Sequence, residues 1–464
     1  MIRYNCKYVY LIGVGGIGMS ALARYFMRKE KSVYGFDARS SEICSALEKE
    51  GVSIHYKDGV ESIPEAICNA NPDQLLVIYT PAVNYENEQI TYFKSKNIEI
   101  YKRAQILGEI SHDYFTISIA GTHGKTTTSC MLAHILINSG RKCTAFLGGI
   151  SSNYNTNLIT NNNNNNNDIL IIEADEYDYS FLNFNSDVAV ITSIDVDHLD
   201  VYKNFDNIKD AFTRFINQIK DNGLLLFEKE LLSQIKEVKN IKNLTYSTSS
   251  EADYYAKNFS VSGLNTLFDF YSAFNEKKDN CRISICMPGM HNISNALAAA
   301  AICRELGLNN KEIINGLKSF NGIKRRYEVQ INREDLVFVD DYAHHPEEIK
   351  ATINATKSLF PEREITVVFQ PHLFSRTKTL ANEFAQALSL ASEVIILEVY
   401  PARELPIKGV SSKLLLNKCN ALKKELCDKK QLLSLLEKKK IDILLTLGAG
   451  DISALVKPIK HMLN

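Results

Sequence analysis

The sequence lacks most of what would staple a chain, anchor it in a membrane or hold it to a polyanion. Its ten cysteines are scattered without a CxxC pair, and the closest two, Cys281 and Cys286, have no companions at metal-ligand spacing. Nothing here calls for a disulfide framework or a zinc site, and the thiols read as those of a reducing compartment. No apolar run approaches the roughly 20 residues needed to cross a bilayer. Charge of one sign is missing too: 53 Lys and Arg against 54 Asp and Glu leave a formal net charge of -1. No global basic field is therefore available to hold nucleic acid or an anionic membrane surface. There is no internal repeat of fixed period. Met1 to Lys7 lead straight into a strand-like run with no signal peptide ahead of it. These absences predict a cytoplasmic protein with soluble substrates and no nucleic-acid or membrane partner. They do not choose between a monomer and a homodimer.

What is present is length. The chain has 464 residues, 45% hydrophobic and 23% charged. At roughly 150 residues per domain this predicts about three domains with ordinary globular cores. Three blocks follow from the patterning. In the first, to about residue 111, Tyr8–Ile12, Ser32–Asp37 and Leu75–Thr80 read as buried strands, with a helix from about Met19. In the second, Phe115–Ala120, Ile169–Ile172 and Val188–Thr192 read as strands. The third begins near Arg326 and holds strand-like Val337–Asp340, Ile365–Phe369, Val394–Leu397 and Ile443–Leu447. Strands alternating with helical patterns predict an α/β protein with parallel sheets. The asparagine run Asn161–Asn167 buries too little surface to offset its ordering entropy, and reads as a flexible surface insert without function.

Two glycine turns carry the chemistry. Gly13, Gly15 and Gly18 fit G-x-G-x-x-G after a strand and before a helix, where backbone can approach a pyrophosphate at a helix N-terminus. Asp37 ends the next strand, about 20 residues on, where an acid can meet a ribose. Alone, this turn suggests a dinucleotide or a nucleotide diphosphate, with a nicotinamide dinucleotide foremost. The second turn, Gly121-Thr122-His123-Gly124-Lys125-Thr126-Thr127, also follows a strand and opens a helix. Its amides suit phosphate, Lys125 reaches outer phosphates, and the Thr126 hydroxyl suits Mg²⁺. It is a shortened variant, with Ile119 where the longer loop has its first glycine. A dehydrogenase explains the first turn and leaves the second idle. An enzyme using ATP on a nucleotide-linked substrate employs both.

Acids and histidines follow at later strand ends. Glu173 closes a buried strand and suits Mg²⁺, while Glu176 and Asp178 read better as solvated loop acids. Ser193–Asp200 holds His198 among acids, placed to ligate a metal or orient a phosphate. His291 and Asn295 are four apart on one helix face, and an asparagine amide can read an adenine edge. Lys324-Arg325-Arg326 lies at the second boundary, where arginine can clamp a phosphoryl group. Asp341, His344 and Arg376 lie at two further strand ends, and Arg376 suits a substrate carboxylate.

Taken in order, these motifs resemble the Mur ligase family. The likeness rests on GVGGIGMSALA from Gly13, EADEYD at 173–178, DHLD at 197–200, PGMHNISNALAA at 288–299, RRYE at 325–328, DDYAHHP at 340–346, QPHLFSRT at 370–377, YPARELPIKGVSS at 400–412 and TLGAGDI at 446–452. It covers nearly the whole chain. It implies a Rossmann-like N-terminal domain for a UDP substrate (1–111), a central P-loop ATPase domain with a mostly parallel sheet (112–325), and a C-terminal Rossmann-like domain for an amino acid (326–464). The implied activity is ATP-dependent amide formation between the carboxylate of UDP-N-acetylmuramate and L-alanine, through an acyl phosphate. A family member that joins whole peptides to the same sugar nucleotide is the alternative.

By the same resemblance, Gly121 to Thr127, Asn295, Arg326 and Asp341 contact ATP. Thr126, Glu173 and His198 serve Mg²⁺. Gly13, Gly15, Gly16, Gly18, Asp37 and Thr80 meet the UDP substrate, and His344 and Arg376 the alanine. Lys125, His198, His344 and Arg376 are the implied catalytic set. Some Mur ligases carry a carbamylated lysine some fourteen or fifteen residues after the DHxD histidine; this chain has Phe212-Thr213-Arg214 there, so none is expected.

Overall fold

The computed structural model describes residues 6–83, 86–160, 168–197, 199–235, 238–274, 280–402 and 404–464. The asparagine run 161–167 and the candidate His198 lie outside the described residues. Among the described residues, no helix is long and apolar enough to cross a membrane.

The predicted strands form, with end residues differing by one at most, because they are short apolar runs buried on both faces of parallel sheets. Strands β1 (Tyr8–Ile12), β2 (Ser32–Phe36), β3 (Ser53–His55), β4 (Leu75–Tyr79) and β5 (Ile100–Lys102) make an all-parallel sheet in the order β3-β2-β1-β4-β5. The order reverses at β1 and β4, so their C-terminal ends open a crevice at a topological switch point. The first glycine turn leaves β1 there.

The second sheet has ten strands: β6 (Phe115–Ala120), β7 (Cys143–Ser151), β8 (Thr156–Thr160), β9 (Ile169–Glu173), β10 (Val188–Ile191), β11 (Leu224–Glu228), β12 (Lys242–Ser247), β13 (Tyr254–Ser262), β14 (Asn265–Ser272) and β15 (Cys281–Ile285). Their order is β15-β14-β13-β12-β11-β10-β6-β9-β7-β8. From β7 through β9, β6, β10, β11 and β12 to β13 each neighbour is parallel, while β7 and β8 are antiparallel. The phosphate-loop strand β6 thus lies between β9 and β10, which carry the acidic segments. The third sheet holds β16 (Glu328–Asn332), β17 (Val337–Asp341), β18 (Ile365–Phe369), β19 (Glu393–Ile396), β20 (Lys423–Leu426) and β21 (Ile443–Leu447), in the order β16-β17-β21-β18-β19-β20. Only β16 runs antiparallel to its neighbour.

By contact the chain forms two compact units. One comprises Met1–Lys257, Asp269–Ile283 and Ser294–Phe320; the other comprises Asn258–Phe268, Ser284–Ile293 and Asn321–Asn464. In the first unit a single apolar core joins Val9, Leu11 and Phe26 of the first sheet layer to Phe146, Leu158 and Ile172 of the second. Each such buried side chain contributes on the order of 1.5–3 kcal/mol. Polar groups fix the register of that seam. Arg24, buried in the helix Ile17–Arg28, pairs with Glu50 at 2.8 Å and donates to Asn157 of β8. Asn157, fully buried, donates to Ser20 Oγ at 3.0 Å. In the second unit one apolar cluster covers each face of the third sheet, one around Phe384 and Val367 and one around Leu432 and Val368.

Candidate functional site

The phosphate loop is shaped by contacts that only glycine permits. Gly121 and Gly124 have φ of 132° and 83°, and added Cβ atoms would lie 2.2 Å from Thr192 Oγ1 and 2.3 Å from Asn295 Oδ1 respectively. The loop is tied to the segment after β10. Thr122 N donates to Ser193 O at 3.2 Å, His123 N to Ser193 Oγ at 2.9 Å, and Asp195 N to Thr122 Oγ1 at 2.9 Å. The structure therefore joins two motifs that lie about 70 residues apart, as their strand-end positions predict.

Lys125 points into this loop. Its ammonium donates to Gly121 O at 2.6 Å and to Glu176 Oε2 at 2.6 Å. Burial works against the charge, but Glu176 above all, then Asp175 and Glu173, outweigh it and hold the lysine protonated above its usual range. Glu176 corrects the sequence expectation. Its side chain is 3% exposed, so it is a buried counter-charge and no solvated loop acid. Asp178 is also engaged, in an ion pair with Lys102 at 2.7 Å.

Beside the lysine, Thr126 Oγ1 donates to Glu173 Oε1 at 2.9 Å, and Gly148 N donates to Glu173 Oε2 at 2.8 Å. Among the described residues, no group of three or more His, Cys, Asp or Glu converges on a metal position. One hydroxyl and one carboxylate beside a phosphate loop are nonetheless the hard oxygen donors that suit Mg²⁺, which keeps waters and takes the rest of its shell from phosphates.

Asn295 lies on the helix Met290–Glu305, is buried, and accepts from Thr128 Oγ1 at 3.3 Å. It is thus packed onto the phosphate loop. Its neighbour Ser294 donates to Glu228 at the end of β11 at 3.0 Å. Burial raises the Glu228 carboxyl to about 7; the Ser294 bond lowers it, and Glu230 and Asp195 add to the rise. Sequence reading did not single out Glu228, because nothing local announces its burial.

The first glycine turn is held differently. Gly13 N and Val14 N donate to Phe36 O at 2.8 and 3.0 Å, and Gly15 N donates to Asp37 Oδ2 at 2.9 Å. Asp37 thereby pins the loop itself. Thr80, at the end of β4, closes over Gly13, where a Cβ would lie 2.4 Å from Thr80 Cγ2. Gly16 precedes the helix Ile17–Arg28 in an extended conformation with no side-chain cap. Over Gly18 lies the guanidinium of Arg103, 2.6 Å from where a Cβ would stand. Arg103 escaped sequence reading because it sits after β5, some 85 residues along the chain from Gly18.

In the second unit, candidates collect at the C-terminal edge of β17, β18 and β21. Asp341 is buried and accepts from Ala343 N and Tyr327 N, both at 2.8 Å, so it braces the turn that follows β17. Burial raises its carboxyl to about 6, against the lowering influence of Arg326 and the two amides. Arg325 and Arg326 lie over the Tyr342 ring at 5.3 and 5.0 Å. Arg326 also approaches Glu348 at 3.8 Å, and Glu348 accepts from His344 N at 3.0 Å. His344 meets His372 edge-on at 6.0 Å, and His372 stacks on Tyr400 at 5.7 Å. The helix Phe374–Thr379, which carries Arg376, begins two residues after His372. His344 and the segment leading to Arg376 are thus gathered at one edge of one sheet, although β21 lies between the strands they follow.

A phosphate loop with a buried, charged lysine, oxygen donors for a divalent cation and a second glycine turn at a Rossmann-like switch point define an ATP-using enzyme. Comparison with known proteins makes the class narrower. Models of the Mur ligase family catalytic domain, the Mur ligase middle domain and the Mur ligase glutamate ligase domain match residues 8–115, 119–303 and 325–450. The chain belongs to the Mur ligase family. It is 44% identical over 452 residues to the UDP-N-acetylmuramate–L-alanine ligase of Cytophaga hutchinsonii, covering 97% of this chain and 96% of that one. The crystal structure of the UDP-N-acetylmuramate-alanine ligase of Thermotoga maritima superposes with a TM-score of 0.81 at 26% identity, covering 98% and 99% of the two chains. A murein peptide ligase from Psychrobacter arcticus shares the fold at a TM-score of 0.71 and 22% identity, over 98% of each chain.

Proposed function

We propose that this chain joins L-alanine to UDP-N-acetylmuramate with ATP, in the synthesis of peptidoglycan precursors. The observation that carries the reading is full-length identity of 44% to an alanine-adding ligase, in a chain whose Lys125 is held charged inside a phosphate loop. Residues 1–111 are assigned to the UDP substrate, 112–325 to ATP and 326–464 to the amino acid. Because ATP and a UDP-sugar are cytoplasmic metabolites, the reaction is placed in the cytoplasm.

The chemistry follows from the weakness of a carboxylate as an electrophile. A muramate carboxylate oxygen attacks the γ-phosphorus, the bond to the bridging oxygen breaks, and ADP leaves with an acyl phosphate formed. The alanine amine then attacks the acyl carbon and loses a proton, and the tetrahedral adduct expels phosphate to leave the amide. Lys125 offsets charge that gathers on the γ-phosphoryl oxygens during in-line transfer. The amides of Gly121 to Thr127 orient the phosphates, and Asn295, Arg326 and Asp341 are assigned to the nucleotide. Thr126 and Glu173, with His198, would hold Mg²⁺, which supplies further neutralisation of phosphate charge when bound. Gly13, Gly15, Gly16 and Gly18, with Asp37 and Thr80, are assigned to the UDP substrate. Arg103, beside Gly18, supplies the positive charge that this glycine turn does not carry. His344 and Arg376 are assigned to alanine, with Arg376 on its carboxylate.

Phosphate release from ATP and Mg²⁺ tests the reading when UDP-N-acetylmuramate and single L-amino acids are added in turn. Release that requires both the sugar nucleotide and L-alanine is expected. Release only with a tripeptide would transfer the chain to peptide-adding ligation, and no release in any combination would defeat the ligase reading.

A further inference from the structure

The segment 400–404 belongs to a motif, YPARELPIKGVSS, to which the reaction above assigns nothing. Beyond the strands of the third sheet, Tyr400 makes an isolated parallel bridge with His372, in the segment that leads to Arg376. Tyr400 N donates to Pro371 O at 2.8 Å and Leu373 N donates to Tyr400 O at 2.9 Å, while the Tyr400 ring stacks on His372. The last link is a carboxylate. Glu404 Oε2 accepts from Ser375 N at 2.9 Å, and Oε1 accepts from Ser375 Oγ.

The helix Phe374–Thr379, which Ala381–Leu388 follows after one residue, starts at that link and has six residues. Its N-cap position is Leu373, at a φ of 71°, with no side-chain cap of its own. The acceptor that a serine or aspartate would supply locally comes instead from a residue 29 positions away. Charge-assisted bonds from a carboxylate to an amide and a hydroxyl are about twice as strong as neutral ones. Ser375 is the residue before Arg376, so whatever fixes Ser375 fixes the direction in which the guanidinium leaves the helix.

We infer that Glu404 is a positioning residue for Arg376: it clamps the start of the helix so that the guanidinium is oriented to receive the carboxylate of the incoming amino acid. The inference rests on the assignment of Arg376 to alanine. Geometry of this kind is felt in the affinity for one substrate. A purely structural clamp would act on all three.

Steady-state kinetics of Glu404→Ala, varying each substrate separately, test it. The KM for L-alanine is expected to rise about 10-fold or more, with the KM for ATP and for UDP-N-acetylmuramate within about twofold of the parent. Glu404→Gln, which keeps the shape and one acceptor, is expected to lie between the two and covers the case in which the alanine variant does not fold. In an Arg376→Lys background, Glu404→Ala is expected to add little to the alanine KM. An equal rise in all three KM values, no rise at all, or full additivity with Arg376→Lys would overturn the positioning role. If Arg376→Lys leaves the alanine KM unchanged, the assignment of Arg376 itself fails and the inference goes with it; if Arg376→Lys raises it and the Glu404 variants do not, only the inference fails.

Discussion

The chain carries two glycine turns on one plan, each a buried parallel strand running into a helix, and they differ in where their positive charge comes from. The turn after β6 contains its own cation. Lys125 is folded back on Gly121 O and held by Glu176, so the loop's positive charge is fixed by the fold itself. The turn after β1 contains no lysine or arginine between Gly13 and Gly18. An acid, Asp37, holds its backbone, and the nearby guanidinium is borrowed from Arg103, some 85 residues on by sequence. The difference fits the roles proposed above: a loop that steadies a transferring phosphoryl group gains from a fixed, desolvated charge, whereas one that holds a pyrophosphate can take its charge from a neighbouring element.

The largest test of this contrast is Lys125→Ala. Turnover is expected to fall by about 10³-fold or more. Stability should fall as well, by roughly 3–5 kcal/mol, because Glu176 is left buried without its counter-charge. Lys125→Ala combined with Glu176→Gln should restore most of the melting temperature and none of the turnover. A single variant as stable as the parent would show that the pair is not the fixed charge described here.

Arg103→Ala sharpens the other side. The KM for the UDP substrate is expected to rise about 10-fold or more, with the ATP KM unchanged. If binding of the UDP substrate is indifferent to Arg103, the first turn works by backbone amides alone.

A pH effect should also distinguish the two neighbourhoods. Glu228, linked through Ser294 to the helix that carries Asn295, has its carboxyl raised to about 7 from 4.5. The folded chain therefore holds this proton more tightly than the unfolded chain does. Its contribution is full below about pH 4.5 and is lost as pH rises to about 7, a loss on the order of 1–3 kcal/mol. Melting temperatures of parent and Glu228→Gln between pH 5 and 8 should converge at the acid end and separate toward the alkaline end, the variant being less sensitive. Parallel curves would exclude Glu228 as the source.

The smallest effects come from the glycines themselves. Gly124→Ala meets a positive φ and the Asn295 amide, and is expected to cost about 1–3 kcal/mol. Gly16 has a φ of -64°, with its nearest atom 3.4 Å from an added Cβ, so Gly16→Ala should stay within about 0.5 kcal/mol in thermal unfolding. Equal costs at the two positions would mean that the two turns are alike in rigidity after all.

Legibility followed burial only in part, since β11 is as buried as β6 and was not singled out. β6, β18 and β21 were readable to the residue, because a parallel strand covered on both faces is a short run of mainly apolar and β-branched residues without a charge in it. The strands β13 and β14 were not, since their exposed faces interrupt the apolar run and leave no single signal. The candidates Gly13, Thr80, Gly121, Glu173 and Asp341 lie at or just after strand ends, whereas Glu228, also at a strand end, was not singled out. Residues paired with a distant element were missed: Arg103 and Glu228 lie in no motif, and Glu404 lies in one whose residues carried no individual assignment.

Sequence by itself determined the family, the α/β class, the order of the motifs and which turn holds Lys125, because these depend on residue identity and spacing along one dimension. Tertiary structure decided which acid faces Lys125, which cation lies over Gly18 and which carboxylate holds the helix of Arg376. Each of these is a pairing between elements far apart in the chain, and its strength comes from burial, a property that a residue acquires only when the rest of the fold closes around it.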